Sequence, residues 1–137
     1  MFKKFTLCIS VSVLLALMLF CYCMPVFYGY SDKFTVYTVS ASSSGRIEGK
    51  NTADFPLFDK YGESFIKNSD EISVKEVIKR FDAKLVLTEE IAEGVSYYAY
   101  SYKIPYEKTI CGRKINLHIF VGAEKTVVGT PMIFGSF

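Results

Sequence analysis

Residues 5–28, FTLCISVSVLLALMLFCYCMPVFY, form a run of 24 residues without a charged side chain. Lys3 and Lys4 stand directly before this run. A helix rises about 1.5 Å per residue, so the run could reach roughly 36 Å, more than the roughly 30 Å hydrocarbon core of a bilayer. The sequence therefore predicts an N-terminal transmembrane helix within residues 1–30, followed by a folded domain over residues 33–137.

Two interpretations of this leader differ in what happens to it after export. The positive-inside rule keeps Lys3 and Lys4 in the cytoplasm, which predicts a single-pass protein of the cell membrane with an extracytoplasmic C-terminal domain. The alternative is a signal segment that is cleaved, so that the domain is secreted. A cleavage site needs small residues, and residues 21–25, CYCMP, are bulky at most positions. The retained anchor is favoured, and secretion stays open.

The charge and cysteine content of residues 33–137 limits the possible functions. This part of the chain carries 14 basic and 13 acidic residues. A balance so close to neutral argues against a nucleic acid partner, which requires clustered positive charge. Cys8, Cys21 and Cys23 belong to the leader, so Cys111 has no partner for a disulfide within the domain. About a hundred residues can nevertheless bury a core without disulfides.

The clearest local signal predicts a helix over residues 73–82. Ser73-x-x-Glu76 is a capping box, and Ile72 with Val77 forms the matching hydrophobic staple. An apolar stripe with helical spacing follows, made of Val74, Val77, Ile78 and Phe81. Such a helix must bury one face.

Strands are predicted on both sides of this helix. Before it, residues 34–41 form a strand that residues 42–45 end, and residues 46–48 pair back as a hairpin. Residues 62–67 form a second short strand. The apolar residues 55–58 are expected to lie over the core.

After the helix, the strands are expected to pair as neighbours along the chain. Residues 85–88 and 95–102 form an antiparallel hairpin around Glu93-Gly94. Alternating apolar residues over 115–121 indicate a strand, which turns into a last strand over 126–134. The predicted fold class is α+β, with the transmembrane helix followed by a curved, mostly antiparallel sheet packed against one or two helices.

The domain offers little material for catalysis. His118 is the only histidine, and Cys111 lies across a predicted turn from it, so a small extracytoplasmic hydrolase or thiol enzyme built on this pair is the alternative function. A lone histidine on a strand is more often structural. No cluster of metal ligands or phosphate-binding loop is found, so neither a metal, a cofactor nor a catalytic residue is predicted.

The tyrosines of residues 95–102 are the candidate binding residues. Tyr98, Tyr100 and Tyr102 alternate along one face of the predicted strand, and His118 is a further candidate. Exposed rings of this kind could stack on an envelope glycan or a protein segment. The competing interpretation is that tyrosine is a favoured strand residue that is half-buried for structural reasons.

The C-terminal third resembles a known family. Asn116-Leu117-His118-Ile119, followed by the terminal Val128-Gly129-Thr130-Pro131 segment, is similar to the YwmB-like proteins of Gram-positive bacteria. The resemblance covers roughly residues 114–137. It implies an exported or membrane-directed α+β protein, with no catalytic residues to carry over, and a "TATA-box binding" label that reflects fold alone. The family has no established function; the membrane anchor together with an aromatic sheet face that lacks a catalytic site is what predicts a non-catalytic binding module of the cell envelope.

Overall fold

The computed structural model describes residues 2–31, 33–38, 46–50 and 60–134. These residues form two helices and nine strands. The helices are α1 (Phe2–Cys23) and α2 (Val74–Arg80). The strands are β1 (Lys33–Thr38), β2 (Arg46–Lys50), β3 (Lys60–Asn68), β4 (Lys84–Ile91), β5 (Gly94–Tyr100), β6 (Lys108–Ile110), β7 (Arg113–Ile115), β8 (Leu117–Gly122) and β9 (Lys125–Thr130). The predicted turn over residues 42–45 and the apolar segment 55–58 lie outside the described residues.

Seven strands form one sheet in the order β2-β1-β3-β9-β8-β5-β4, and β6 and β7 form a separate hairpin. Every neighbouring pair in the sheet is antiparallel. The predicted α+β class with a mostly antiparallel sheet is therefore confirmed. β4 and β5 form the predicted hairpin, with Gly94 opposite Ile91.

Helix α2 forms as its capping signal predicts. The backbone amide of Glu76 donates to the Ser73 hydroxyl oxygen at 3.2 Å. Ile72 and Val77 are both buried in the core. The other stripe residues, Val74, Ile78 and Phe81, pack against that core.

The core lies between α2 and one face of the sheet. Its strand residues share that face, and they are Phe34, Val36, Phe65, Val128, Leu117, Ile119 and Ala99. Residues 24–31, here called the post-helix segment, contribute Phe27, which is fully buried. The Phe27 ring stands edge-on to Phe65 at 4.8 Å and to Phe81 at 5.7 Å between ring centres. The core thus includes residues that precede the domain start expected at residue 33.

Helix α1 packs differently from α2. Its apolar side chains between Leu7 and Phe20 are exposed by 48% to 63%, on all sides of the helix. In the described parts of the chain, no helix is long and apolar enough to cross a membrane. The transmembrane part of the prediction is therefore not borne out, whereas the N-terminal helix itself forms, as α1.

Three predicted strands are shorter than expected, and the one expected over 95–102 ends at Tyr100. The strand expected over 126–134 ends at Thr130, because the chain turns at Pro131, which has no backbone N–H for the ladder. The strand expected over 115–121 is interrupted at Asn116, which separates β7 from β8. The Asn116 side chain donates to the carbonyls of Ser101 and Ile104, at 2.6 and 3.2 Å. The Asn116 side chain thereby holds the β5–β6 connection against the sheet.

Candidate functional site

The three candidate tyrosines occupy three different environments. Tyr98 is 9% exposed, and its hydroxyl donates to a carboxylate oxygen of Glu89 at 3.2 Å. Tyr100 is half-buried at the end of β5. Tyr102 follows the strand, is 75% exposed and donates to Asp82 Oδ2 at 2.7 Å. The alternation predicted from sequence therefore leaves one exposed ring, that of Tyr102, rather than a continuous aromatic face.

Part of the second face of the sheet, opposite the core, is covered by the chain itself. After β9, residues 131–134 fold back across this face. The backbone amide of Ile133 donates to His118 Nδ1 at 3.3 Å, and the Tyr37 hydroxyl donates to the Phe134 carbonyl at 2.8 Å. Gly129 makes room for this approach, because a Cβ there would lie 2.8 Å from the Met132 carbonyl oxygen.

His118 lies within this covered face. Its exposure is 2%, and its ring stacks on Tyr98 with 4.4 Å between ring centres. Nε2 lies 3.2 Å from the Ser96 hydroxyl, while Nδ1 accepts from Ile133. Burial lowers the pKa of His118 from 6.5 to about 4. Both ring nitrogens are thus engaged within the fold, and the imidazole is shielded from solvent.

Cys111, the other half of the alternative catalytic pair, is exposed at the turn between β6 and β7. His118 sits inside the sheet, opposite Tyr98 on one side and Gly129 on the other. An exposed thiol and an imidazole enclosed by its own hydrogen bonds do not form the accessible pair that nucleophilic catalysis requires. The geometry therefore does not favour a thiol enzyme at these two residues.

A buried carboxylate, Glu63, is the polar feature that the sequence reasoning missed. It is fully buried on β3, on the core face beside Val36. Its Oε2 accepts from the Phe27 amide and its Oε1 from the Tyr106 hydroxyl, both at 3.2 Å. Nearby, the Lys60 ammonium donates to the Cys23 carbonyl at the end of α1. Glu63 and Lys60 together hold the post-helix segment against the sheet.

Burial raises the pKa of Glu63, while the backbone amides of Val26 and Phe27 and the charge of Lys60 oppose that change. A perturbed carboxyl can mark a catalytic site. Here its oxygens are occupied by groups that fix the fold, so a structural role accounts for it. The alternation of β3 places Glu63 on the face of Phe65, and this was the only sequence signal for a buried acid.

Among the residues that the structure describes, no three His, Cys, Asp or Glu side chains are grouped so that they could hold a metal ion. Comparison with protein-family models, with characterised proteins and with solved structures finds no match to this chain.

Proposed function

We propose that this chain is an exported, non-catalytic domain of the cell envelope, carried to the membrane by its N-terminal helix and binding an envelope glycan or protein there. One observation carries the proposal: α1 exposes apolar side chains on every side, while its last residue, Cys23, is buried against the domain. Water is an unfavourable surrounding for such a helix, because each exposed apolar side chain costs free energy.

The proposal does not require α1 to cross a bilayer. The apolar region of a signal segment needs only about 7–15 residues, and Lys3 and Lys4 supply its positive start. Export with later cleavage and export with retention are both compatible with it. The resemblance of residues 114–137 to YwmB-like proteins points in the same direction and stays a prediction.

A binding role is proposed over catalysis because the groups with catalytic potential are used to hold the fold together. His118 bonds Ser96 and Ile133, and Glu63 bonds Phe27 and Tyr106. Neither side chain presents a free polar atom to a substrate.

Thiol labelling in cells tests the location. In a variant with Cys8 and Cys21 changed to Ser and Cys23 to Ala, the exposed Cys111 is the only thiol. We expect a membrane-impermeant maleimide to label it in intact cells, and Cys111→Ser in the same background to abolish the label. Labelling that appears only after lysis would place the domain in the cytoplasm and contradict the proposal. The mass of the labelled chain tells retention from cleavage.

A further inference from the structure

The exposed charges of the domain are separated between the two ends of the seven-stranded sheet. We call the end at which β3 begins, with Lys60, the proximal end, and the end at which β3 finishes, with Asn68, the distal end. Because neighbouring strands are antiparallel, β4 and β8 also begin at the proximal end, whereas β5 and β9 begin at the distal end. The two ends lie roughly 26 Å apart, at about 3.3 Å per residue of strand.

The proximal end is basic. Among the described residues that surround it, the basic side chains are Lys60, Lys84, Lys103, Lys108, Arg113 and Lys114. Four of these belong to the connection between the end of β5 and the start of β8, both of which lie at this end of the sheet. The exposed acids there are Asp82 and Glu107, and each is already paired, with Lys103 at 3.4 Å and with Lys114 at 2.9 Å. An excess of positive charge remains.

The distal end has the opposite sign. Its exposed acids lie in the β3–α2 connection and in the β4–β5 and β8–β9 turns, and they are Asp70, Glu71, Glu90, Glu93 and Glu124. Basic residues are also present at this end: Lys33 begins β1, Lys125 begins β9, and Lys67 lies one residue before the end of β3. The acids exceed these bases modestly, so the near-neutral sum over residues 33–137 conceals an excess of basic side chains at the proximal end.

Helix α1 leaves the domain at the proximal end. The Lys60 ammonium donates to the Cys23 carbonyl, which fixes the end of the helix there. Two exposed tyrosines, Tyr61 and Tyr102, belong to the same end. An apolar helix, basic side chains and tyrosine rings are the features that proteins place at the boundary between lipid and water.

We propose that the proximal end docks on the surface of an anionic lipid bilayer, with the distal end pointing away from it. The inference rests on the proposed function, in that the chain must reach a membrane. The lysines of the proximal end meet anionic headgroups, while the acids that predominate at the distal end are repelled from them, so the charges favour this orientation. α1 only brings the domain to the surface.

Fluorescence quenching on the full chain tests this orientation. The protein contains no tryptophan, so each introduced tryptophan is the sole probe. Tyr102→Trp places the probe at the proximal end, three strands away from β3, and Ala123→Trp places it in the distal β8–β9 turn. In anionic vesicles with a headgroup-attached nitroxide, we expect strong quenching of the proximal probe and little of the distal one. Equal quenching of both probes, or none, would overturn the inference.

The charge dependence is tested in the Tyr102→Trp background. Each lysine close to an anionic surface contributes roughly fivefold, so changing Lys84 and Lys108 to Gln is expected to weaken proximal docking roughly 25-fold. Lys125→Gln, at the distal end, is the matched control and is expected to change nothing. Unchanged quenching in the double variant, or equal quenching in zwitterionic and anionic vesicles, contradicts the role of these charges.

A soluble polyanion provides the last comparison. If polyphosphate shifts the proximal probe and anionic vesicles leave it unquenched, the basic end binds a polymer and the lipid proposal fails. Because vesicles are used, these outcomes do not depend on export, which Cys111 labelling in cells decides separately. Unfolding curves of every variant establish that the fold is retained.

Discussion

The imidazole of His118 is kept neutral by the groups around it. Because Nδ1 accepts from the Ile133 amide, the proton of the neutral ring belongs on Nε2, facing the Ser96 hydroxyl. Protonation would place a second N–H against the Ile133 amide and a charge inside the sheet. Burial therefore lowers the pKa to about 4.

This pKa makes stability depend on pH. Between about pH 4 and pH 6.5, the unfolded chain binds a proton at His118 that the folded chain does not, so stability is lost as the pH falls through this window. The difference between the folded and unfolded pKa values corresponds to about 3 kcal/mol of unfolding free energy. We expect His118→Gln to remove this loss, as measured by urea unfolding at pH 4.5 and 7.5.

Glu63 supplies the internal comparison for that experiment. Burial raises its pKa, so above the ordinary value near 4.5 the carboxyl lowers folded-state stability as pH rises. The two groups therefore act in opposite directions. The informative quantity is the difference between the wild-type and His118→Gln pH profiles, and two parallel profiles would show that His118 does not titrate as described.

At the scale of elements, residues 131–134 cover the part of the second face of the sheet that surrounds His118. Ser64 and Gly129 face each other on neighbouring strands, and both have small side chains. Beside them, the Ile133 amide donates to His118 and the Phe134 ring packs against Tyr61. This coverage accounts for the burial of Tyr98. Alternation along β5 correctly places Tyr98 opposite the core, but nothing local indicates that a segment thirty residues later covers that face.

Gly129→Ala tests this contact. An added Cβ would lie 2.8 Å from the Met132 carbonyl oxygen and 2.9 Å from Ile133 Cα. Both are backbone atoms, so the main chain of residues 132–133 would have to shift. We expect a loss of about 1–3 kcal/mol and faster hydrogen exchange at the Ile133 amide. Gly122→Ala is the control, because its nearest contact is the Phe120 side chain at 3.2 Å. Unchanged exchange at Ile133 in the Gly129 variant would show that the segment is not held there.

At the scale of the whole molecule, the sequence predicted the elements whose causes are local. The capping box at Ser73 and the hairpin around Gly94 depend on neighbouring residues, and both form as expected. The placement of residues 24–31 depends on Glu63, more than thirty positions away. With Pro25 and Phe27 continuing the apolar composition of the leader, this segment could not be told from it by sequence alone.

The post-helix segment leads to the last prediction. A chain starting at Met24 is expected to unfold cooperatively, whereas one starting at Lys33 lacks Phe27. Losing the Phe27 ring costs about 3–5 kcal/mol of unfolding free energy. Leaving the Glu63 carboxylate without its amide donor costs about 1–3 kcal/mol more. Together these losses are a large part of the 5–15 kcal/mol that is typical of a domain. Urea unfolding followed by circular dichroism compares the two chains. In the longer chain, Phe27→Ala should reproduce most of the loss of stability. Tyr28→Ala should reproduce little of it, because the Tyr28 side chain is 43% exposed. Equal midpoints for both chains would remove the post-helix segment from the core.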